Sequence, residues 1–183
     1  MRKEPKTLSF DEFADGLLSE RQPRALVILA SAQIDTQLRN VLEAFLWEKA
    51  GKSKDPDELF DGDSPLSSFS SRIKISRRLG LIDAALTNAL DKLRDVRNQA
   101  AHWVSFGVAN APLRDQLKHL QTLITHRRSY HLTVSRFFAG QQLSDLESLQ
   151  AVLLTLSVLL GSIHASMPER CLMKLQNNPL TLD

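Results

Sequence analysis

The sequence predicts an all-α protein, a bundle of long antiparallel helices with short connecting loops. The chain of 183 residues contains only 7 Gly and 7 Pro, and it lacks the alternating apolar and polar runs that are typical of strands. Its apolar residues recur at steps of three and four, which is the period of an amphipathic helix. A hydrophobic content of 43% is enough to build one core without disulfide or metal crosslinks.

The N-terminal part predicts two helices. Ser9 and Glu12 have the spacing of a capping box, so a short helix begins there and runs to about Arg21. Pro23 suits the first turn of a second, long helix that ends at Gly51. The apolar stripe of this helix comprises Val27, Ala30, Ile34, Leu38, Val41 and Phe45. Residues 52–64 are rich in Asp, Lys, Ser and Gly and predict a surface loop.

The remaining helices follow the same period. One runs from Pro65 to Leu79, with Gly80 as a left-handed cap, and the next begins near Asp83. The apolar seam of that next helix comprises Leu86, Ala89, Leu93, Val96, Ala100 and Trp103. A further helix runs from Pro112 to Ile124, basic residues at 126–131 lie on another, and Ser144 caps an uncharged C-terminal helix.

These elements divide the chain into three parts. Residues 1–22 form an N-terminal lead-in with a short helix, and residues 23–167 form the helical bundle domain. Residues 168–183 form a C-terminal tail, in which Asn177-Asn178-Pro179 is a turn signal. The tail is expected to be peripheral.

Charge and cysteine content restrict the partners and the compartment. Lys and Arg total 23 against 21 Asp and Glu, a formal charge of +2, so a polyanion must be bound by a local patch. The single Cys171 and the charged N-terminus favour the cytoplasm over secretion. Ser148 to Pro168 has no charged residue and is long enough to span a membrane. Its several polar residues favour a helix buried by protein, so no membrane partner is predicted.

The segment that contains Arg97, Asn98 and His102 carries the candidate chemistry. RNA cleavage without a metal needs a cation that holds the phosphate and an imidazole that moves a proton. Arg97 and His102 supply these groups, and no cofactor or metal is predicted. Asn98 precedes His102 by one helical turn and Arg94 lies a turn earlier, so all three share one face. Asn98 is expected to orient the imidazole or the sugar.

The spacing of Arg97 and His102 requires a special arrangement. Five residues on a regular α-helix rotate the chain by about 500°, so the two side chains point roughly 140° apart. A joint site therefore needs a distorted helix end, a long reach of the arginine, or a second copy of the helix. The last option favours a homodimer. The simpler interpretation is that Arg97 pairs with an acidic partner, Asp35 or Asp95, and that His102 only interacts with the helix dipole.

The segment Arg97-Asn98-Gln99-Ala100-Ala101-His102 resembles the Arg-x4-6-His signature of the HEPN superfamily. Upstream, Pro65-Leu66-Ser67-Ser68-Phe69 and Leu79-Gly80-Leu81-Ile82 are similar to the mannitol-operon regulator (MltR) family within that superfamily. The resemblance spans roughly residues 17–138. It implies a HEPN-like helical bundle, often dimeric, that regulates gene expression as a repressor. Many HEPN proteins are metal-independent ribonucleases or toxins whose Arg and His line the dimer cleft.

Basic clusters predict further contacts with RNA. They comprise Arg72, Arg77 and Arg78 on one helix, Arg127 and Arg128 on another, and Arg94 beside the main segment. No helix-turn-helix for reading DNA is evident. The leading hypothesis is a cytoplasmic homodimer that acts on RNA as a metal-independent endoribonuclease.

Two alternatives remain open. One is a non-catalytic repressor or interaction module that binds a partner protein through the apolar seam or the uncharged helix. The other is a toxin restrained by an antitoxin or used in phage defence.

Overall fold

The computed structural model describes residues 8–46, 57–102, 111–139 and 142–167. Within them the chain forms seven α-helices and no strand, which confirms the all-α prediction. The helices are α1 (Phe10–Ser19), α2 (Pro23–Phe45), α3 (Phe69–Arg78), α4 (Ala84–His102), α5 (Ala111–Ile124), α6 (Arg128–Phe138) and α7 (Asp145–Ala165). Trp103, Cys171 and the predicted tail lie outside the described residues.

Local capping signals begin and end several helices as predicted. At α1 the Glu12 amide donates to Ser9 Oγ at 3.3 Å, and the Ser9 amide donates to Glu12 Oε2 at 2.9 Å. Ser144 forms the same capping box at α7, and Pro23 occupies the first turn of α2. Gly80, which follows α3, has a φ of 70°, the left-handed conformation that favours glycine.

Three predicted boundaries differ from the structure. Helix α2 ends at Phe45 rather than Gly51, because the backbone becomes extended at Leu46, which packs against a small apolar cluster. Helix α3 begins at Phe69 rather than Pro65, because Ser68 Oγ accepts the Ser71 amide and so fixes the start. Residues 126–131 straddle the break between α5 and α6 instead of sharing one helix.

Helices α2 and α7 form the centre of the bundle. They pack against each other, and α1, α5 and α6 also contact α7. Residues 151–157 of α7 are all buried. On α4 the predicted seam is buried from Leu86 to Ala100, and α4 packs against α2, α3 and α5. The two apolar surfaces recognised in the sequence are therefore both used inside the bundle.

Helix α7 is the one described helix that is long and apolar enough to cross a membrane, with a mean hydropathy of 1.7 over its most apolar window. Of that window, 56% is buried inside the protein. Two of its buried polar side chains have partners within the chain, whereas the buried Ser157 hydroxyl has none among the described residues. Thr155 Oγ1 donates to the Ala151 carbonyl at 2.7 Å, and Gln150 Nε2 donates to the carbonyls of Leu17, Leu18 and Glu20 at 3.0, 3.3 and 3.2 Å. This is the arrangement expected of a core helix.

A second, smaller apolar cluster holds the turn between α3 and α4. It consists of Val41, Leu42, Phe60, Leu81 and Met167. Its members come from the end of α2, the segment before α3, the α3–α4 turn and the residues that follow α7. The cluster therefore packs the α3–α4 turn against the end of α2 and the residues that follow α7.

Candidate functional site on helix α4

The candidate site occupies the last two turns of α4, which remains helical through His102. Arg97, Asn98 and His102 are exposed, whereas Val96 and Ala100 between them are buried in the core. The buried residues fix the rotation of α4 about its axis, and this rotation turns the three polar side chains toward solvent. All three are thus accessible to a large ligand.

The regular helix keeps Arg97 and His102 apart. Because α4 stays α-helical through His102, the rotation of roughly 140° between the two side chains applies. A distortion of the helix before His102 does not bring them together. Asn98 and His102 lie one turn apart on the same face, so the asparagine is placed to contact the imidazole.

Arg97 faces Asp35 on α2 without a hydrogen bond to it. Burial raises the pKa of Asp35 above its ordinary value, and the charges of Arg72, Arg97 and Arg39 oppose this rise without cancelling it. The Asp35 carboxylate accepts Arg72 Nε at 2.9 Å on Oδ1 and Arg72 Nη2 at 2.8 Å on Oδ2. Arg97 has no hydrogen bond or ion pair with any residue that the structure describes. The acidic partner predicted for Arg97 is therefore bound to a different arginine.

Arg72 is turned into the protein. It is 7% exposed, and besides Asp35 it binds the carbonyls of Leu66 at 2.7 Å and Ser67 at 3.2 Å through Nη1. Each of its guanidinium nitrogens thus has an acceptor in the chain. Although the sequence suggested Arg72 as a phosphate contact, its observed hydrogen bonds tie α3 to α2 and to the segment before α3.

Arg94 is occupied by neighbouring side chains. It donates from Nη1 to Ser70 Oγ at 2.9 Å and forms ion pairs with Asp91 at 2.9 Å and Asp95 at 3.1 Å. Asp95, the second acid suggested for Arg97, is thus paired with Arg94. Of the candidate cations on the last turns of α4, Arg97 is the one that is free of an ion pair among the described residues.

The structure does not bring the other predicted RNA contacts to Arg97. Arg77 and Arg127 line a cleft together with Leu86, at the opposite end of α4. Arg78 and Arg128 are exposed and adjoin those two arginines in the chain. In residues 8–46, 57–102, 111–139 and 142–167 there is also no group of three His, Cys, Asp or Glu side chains that could hold a metal ion.

Sequence reasoning missed the contact between Arg127 and Asp83. Arg127 Nη2 donates to both carboxylate oxygens of Asp83 at 2.7 Å, across 44 residues of sequence. Asp83 also caps α4 by accepting the Leu86 amide at 2.7 Å. The cap joins residues three apart, a spacing that sequence rules can detect. No local pattern links Asp83 to Arg127, which lies 44 residues further along the chain.

Comparison with known proteins shows a shared fold. No protein-family model matches the chain, and no curated protein is significantly similar to it in sequence. The chain is similar in structure to a possible transcriptional regulator, YggD, from Shigella flexneri 2a, with a TM-score of 0.64 and 16% identity over 86% of this chain and 99% of that one. At this identity the likeness concerns the fold alone, so membership of the MltR family and the HEPN superfamily stays a prediction.

Proposed function

We propose that this protein regulates gene expression by acting on RNA, and that it cleaves RNA without a metal through Arg97 and His102. The observation that carries the proposal is an exposed Arg97 with no ion pair among the described residues, on the same helix end as exposed Asn98 and His102. A guanidinium without an acid at hydrogen-bond distance is available to bind a phosphate. A regulatory role is supported by the similar fold of YggD, which is described as a possible transcriptional regulator.

The proposed chemistry is a transesterification within the RNA strand. Neutral His102 accepts the proton of a 2′-hydroxyl, whose oxygen attacks the adjacent phosphorus. The bond from phosphorus to the 5′-oxygen breaks, and that oxygen takes a proton from an imidazolium. The products are a 2′,3′-cyclic phosphate and a 5′-hydroxyl. Arg97 stabilises the charge that develops on the phosphate oxygens, and Asn98 orients the imidazole.

The proposed site draws on two copies of the chain. On the regular α4 helix, Arg97 and His102 point in directions that differ by roughly 140°. In a two-fold dimer the same surface of each copy meets at the interface. If the ends of two α4 helices face each other, Arg97 of one copy and His102 of the other converge on one phosphate. This arrangement needs no distortion of α4.

Binding of a partner protein without catalysis is the alternative. It was suggested by the apolar seam of α4 and by the uncharged helix α7. The α4 seam from Leu86 to Ala100 and residues 151–157 of α7 are buried in the described bundle, so a partner helix would have to use the C-terminal part of α7, where Gly161 and Ser162 are exposed. A toxin restrained by an antitoxin would use the same cleavage chemistry. Growth arrest when the unchanged protein is expressed, but not when Arg97→Ala is expressed, would identify a toxin.

The direct test is cleavage of single-stranded RNA by purified protein in EDTA. We expect products with cyclic phosphate ends, and a loss of at least about 100-fold in rate in His102→Ala and in Arg97→Ala, because each removes a group needed in the transition state. His164→Ala is the matched control, since His164 is an exposed histidine on α7, and it should retain the full rate. Circular dichroism checks that each variant is folded.

Two results would refute this proposal. Equal cleavage by His102→Ala and the unchanged protein would assign the activity to a contaminating nuclease. The interaction module would be favoured if the folded, pure protein leaves RNA intact and if a pull-down from lysate retains a protein partner after nuclease treatment.

A further inference from the structure

A cleft of about 480 Å³ lies between the α3–α4 turn, the start of α6 and the C-terminal half of α7. Its volume falls within the range of small-molecule sites, about 300–1,000 Å³. Leu81, Leu86, Leu159 and Ile163 contribute apolar walls. These side chains come from the α3–α4 turn, α4 and α7, so the cleft is a feature of the folded bundle.

Small side chains on α7 give the cleft its width. Ser162 and Ser166 lie one turn apart and line the same wall. Their hydroxyls donate to the carbonyls of Val158 at 2.9 Å and Ile163 at 2.8 Å. Because these donors are used within α7, this wall offers a ligand little hydrogen bonding and mainly provides space.

The polar end of the cleft has an excess of positive charge. Two guanidinium groups, those of Arg77 and Arg127, face one carboxylate, that of Asp83. Burial raises the pKa of Asp83, but the hydrogen bonds from Arg127 and from the Leu86 amide, and the charge of Arg77, outweigh burial and leave it below the ordinary value. Asp83 is therefore ionised at neutral pH and balances one of the two guanidinium charges. The other positive charge remains uncompensated within the cleft.

Arg127 also has an unused donor. Its Nη2 alone contacts Asp83, its Nε is buried, and its Nη1 has no hydrogen bond among the described residues. A carboxylate is a strong, charge-assisted acceptor for such a guanidinium donor. Arg77 is exposed at the same rim, so two cationic groups are placed to share one anionic ligand.

From this geometry we infer that the cleft binds a small organic carboxylate with an apolar body. The single negative charge of such a ligand matches the uncompensated charge of the arginines. The apolar body matches the walls formed by the leucines and Ile163. This ligand class follows from the cleft alone and does not depend on ribonuclease activity.

The cleft and the candidate RNA site lie at opposite ends of α4. Leu86 lines the cleft and His102 ends the helix, a separation of about 24 Å at a rise of about 1.5 Å per residue. Binding at the cleft can therefore be measured directly, whatever the outcome of the RNA experiments.

The test is titration of the full chain with sodium octanoate, followed by calorimetry and by NMR shifts of the Ser162 and Ile163 amides. Octanol provides the chain without the charge, and acetate provides the charge without the chain. We expect saturable 1:1 binding of octanoate, at least about tenfold tighter than either control, because each control loses one of the two interactions.

Variants locate the site. Arg77→Gln should weaken octanoate binding about tenfold, because it removes a charged donor. Arg78→Gln is the matched control on the same helical turn and should change the Kd by less than about twofold. Ser162→Phe, at an exposed position, should fill the cleft and abolish binding in a folded protein. Three results would overturn the inference. They are octanol binding as tight as octanoate binding, equal effects of Arg77→Gln and Arg78→Gln on the Kd, and no saturable binding of octanoate.

Discussion

At the scale of single residues, Arg72 has the most consequential set of contacts. It joins three parts of the chain, since its guanidinium on α3 binds Asp35 on α2 and the carbonyls of Leu66 and Ser67. A buried ion pair adds little net stability over apolar packing, but removal of one member leaves the other charge without a partner. Loss of Arg72 is therefore expected to lower the stability of the folded bundle.

We predict that Arg72→Ala lowers the free energy of unfolding by about 2–4 kcal/mol. It leaves the Asp35 carboxylate and two carbonyls without donors, although the Asp35 side chain is 30% exposed and water offsets part of the loss. Urea denaturation at pH 7 measures the change. Arg78→Ala, at an exposed position of the same helix, should stay within about 0.5 kcal/mol of the unchanged protein.

The loss in Arg72→Ala should shrink at acid pH. Burial already raises the pKa of Asp35, and the variant removes the charge that most strongly opposes this rise. A carboxyl with a raised pKa in the folded state favours folding when it is protonated, and this contribution is lost as pH rises through the folded pKa. The variant should thus regain stability relative to the unchanged protein below that pKa. A pH-independent difference in urea midpoints would contradict the ion-pair explanation.

At the scale of helices, Gln150 is the polar connection between α7 and α1. It is 1% exposed, and its Nε2 binds three carbonyls at the end of α1. The last carbonyls of a helix have no partner within the helix, so this side chain completes the end of α1. It also fixes the position of α1 on the bundle.

We predict that Gln150→Leu costs about 1–3 kcal/mol in the free energy of unfolding, because buried carbonyls lose their donor while the volume is nearly conserved. Hydrogen exchange should become faster at the α1 amides first, since α1 loses its connection to the core. Ser162→Ala on the exposed side of α7 is the control, and it should leave the free energy of unfolding and the exchange rates of the α1 amides unchanged. Unchanged exchange in α1 would show that apolar packing alone holds this helix.

Helix ends were predictable where their signals are local. The two capping boxes join residues three apart, and Gly80 adopts the left-handed conformation at its own position in the turn after α3. The start of α3 was predicted too early because proline is tolerated in a first turn, whereas the structure uses the Ser68 cap. The bond from Gln150 to Leu17 spans 133 residues, and no spacing rule indicates such a contact before the fold is known.

At the scale of the whole molecule, α4 connects the two proposed sites. The exposed Arg97, Asn98 and His102 lie at its C-terminal end, and the cleft with Arg77 and Arg127 lies at its N-terminal end. The buried seam between them packs against α2, α3 and α5. Residue chemistry and the resemblance to the HEPN signature were enough to nominate Arg97 and His102. They were not enough to tell which arginine binds Asp35, because Arg72 lies 37 residues away in the chain.

The most direct test of the two-chain site is subunit complementation. Arg97→Ala and His102→Ala proteins, each inactive on RNA, are refolded together so that mixed dimers form. A mixed dimer then contains one complete site, with Arg97 from one chain and His102 from the other, so random mixing should restore about one quarter of the rate of the unchanged protein. Should the mixture remain as inactive as each variant alone, Arg97 and His102 would not act across a dimer interface, and the two-chain site would be wrong.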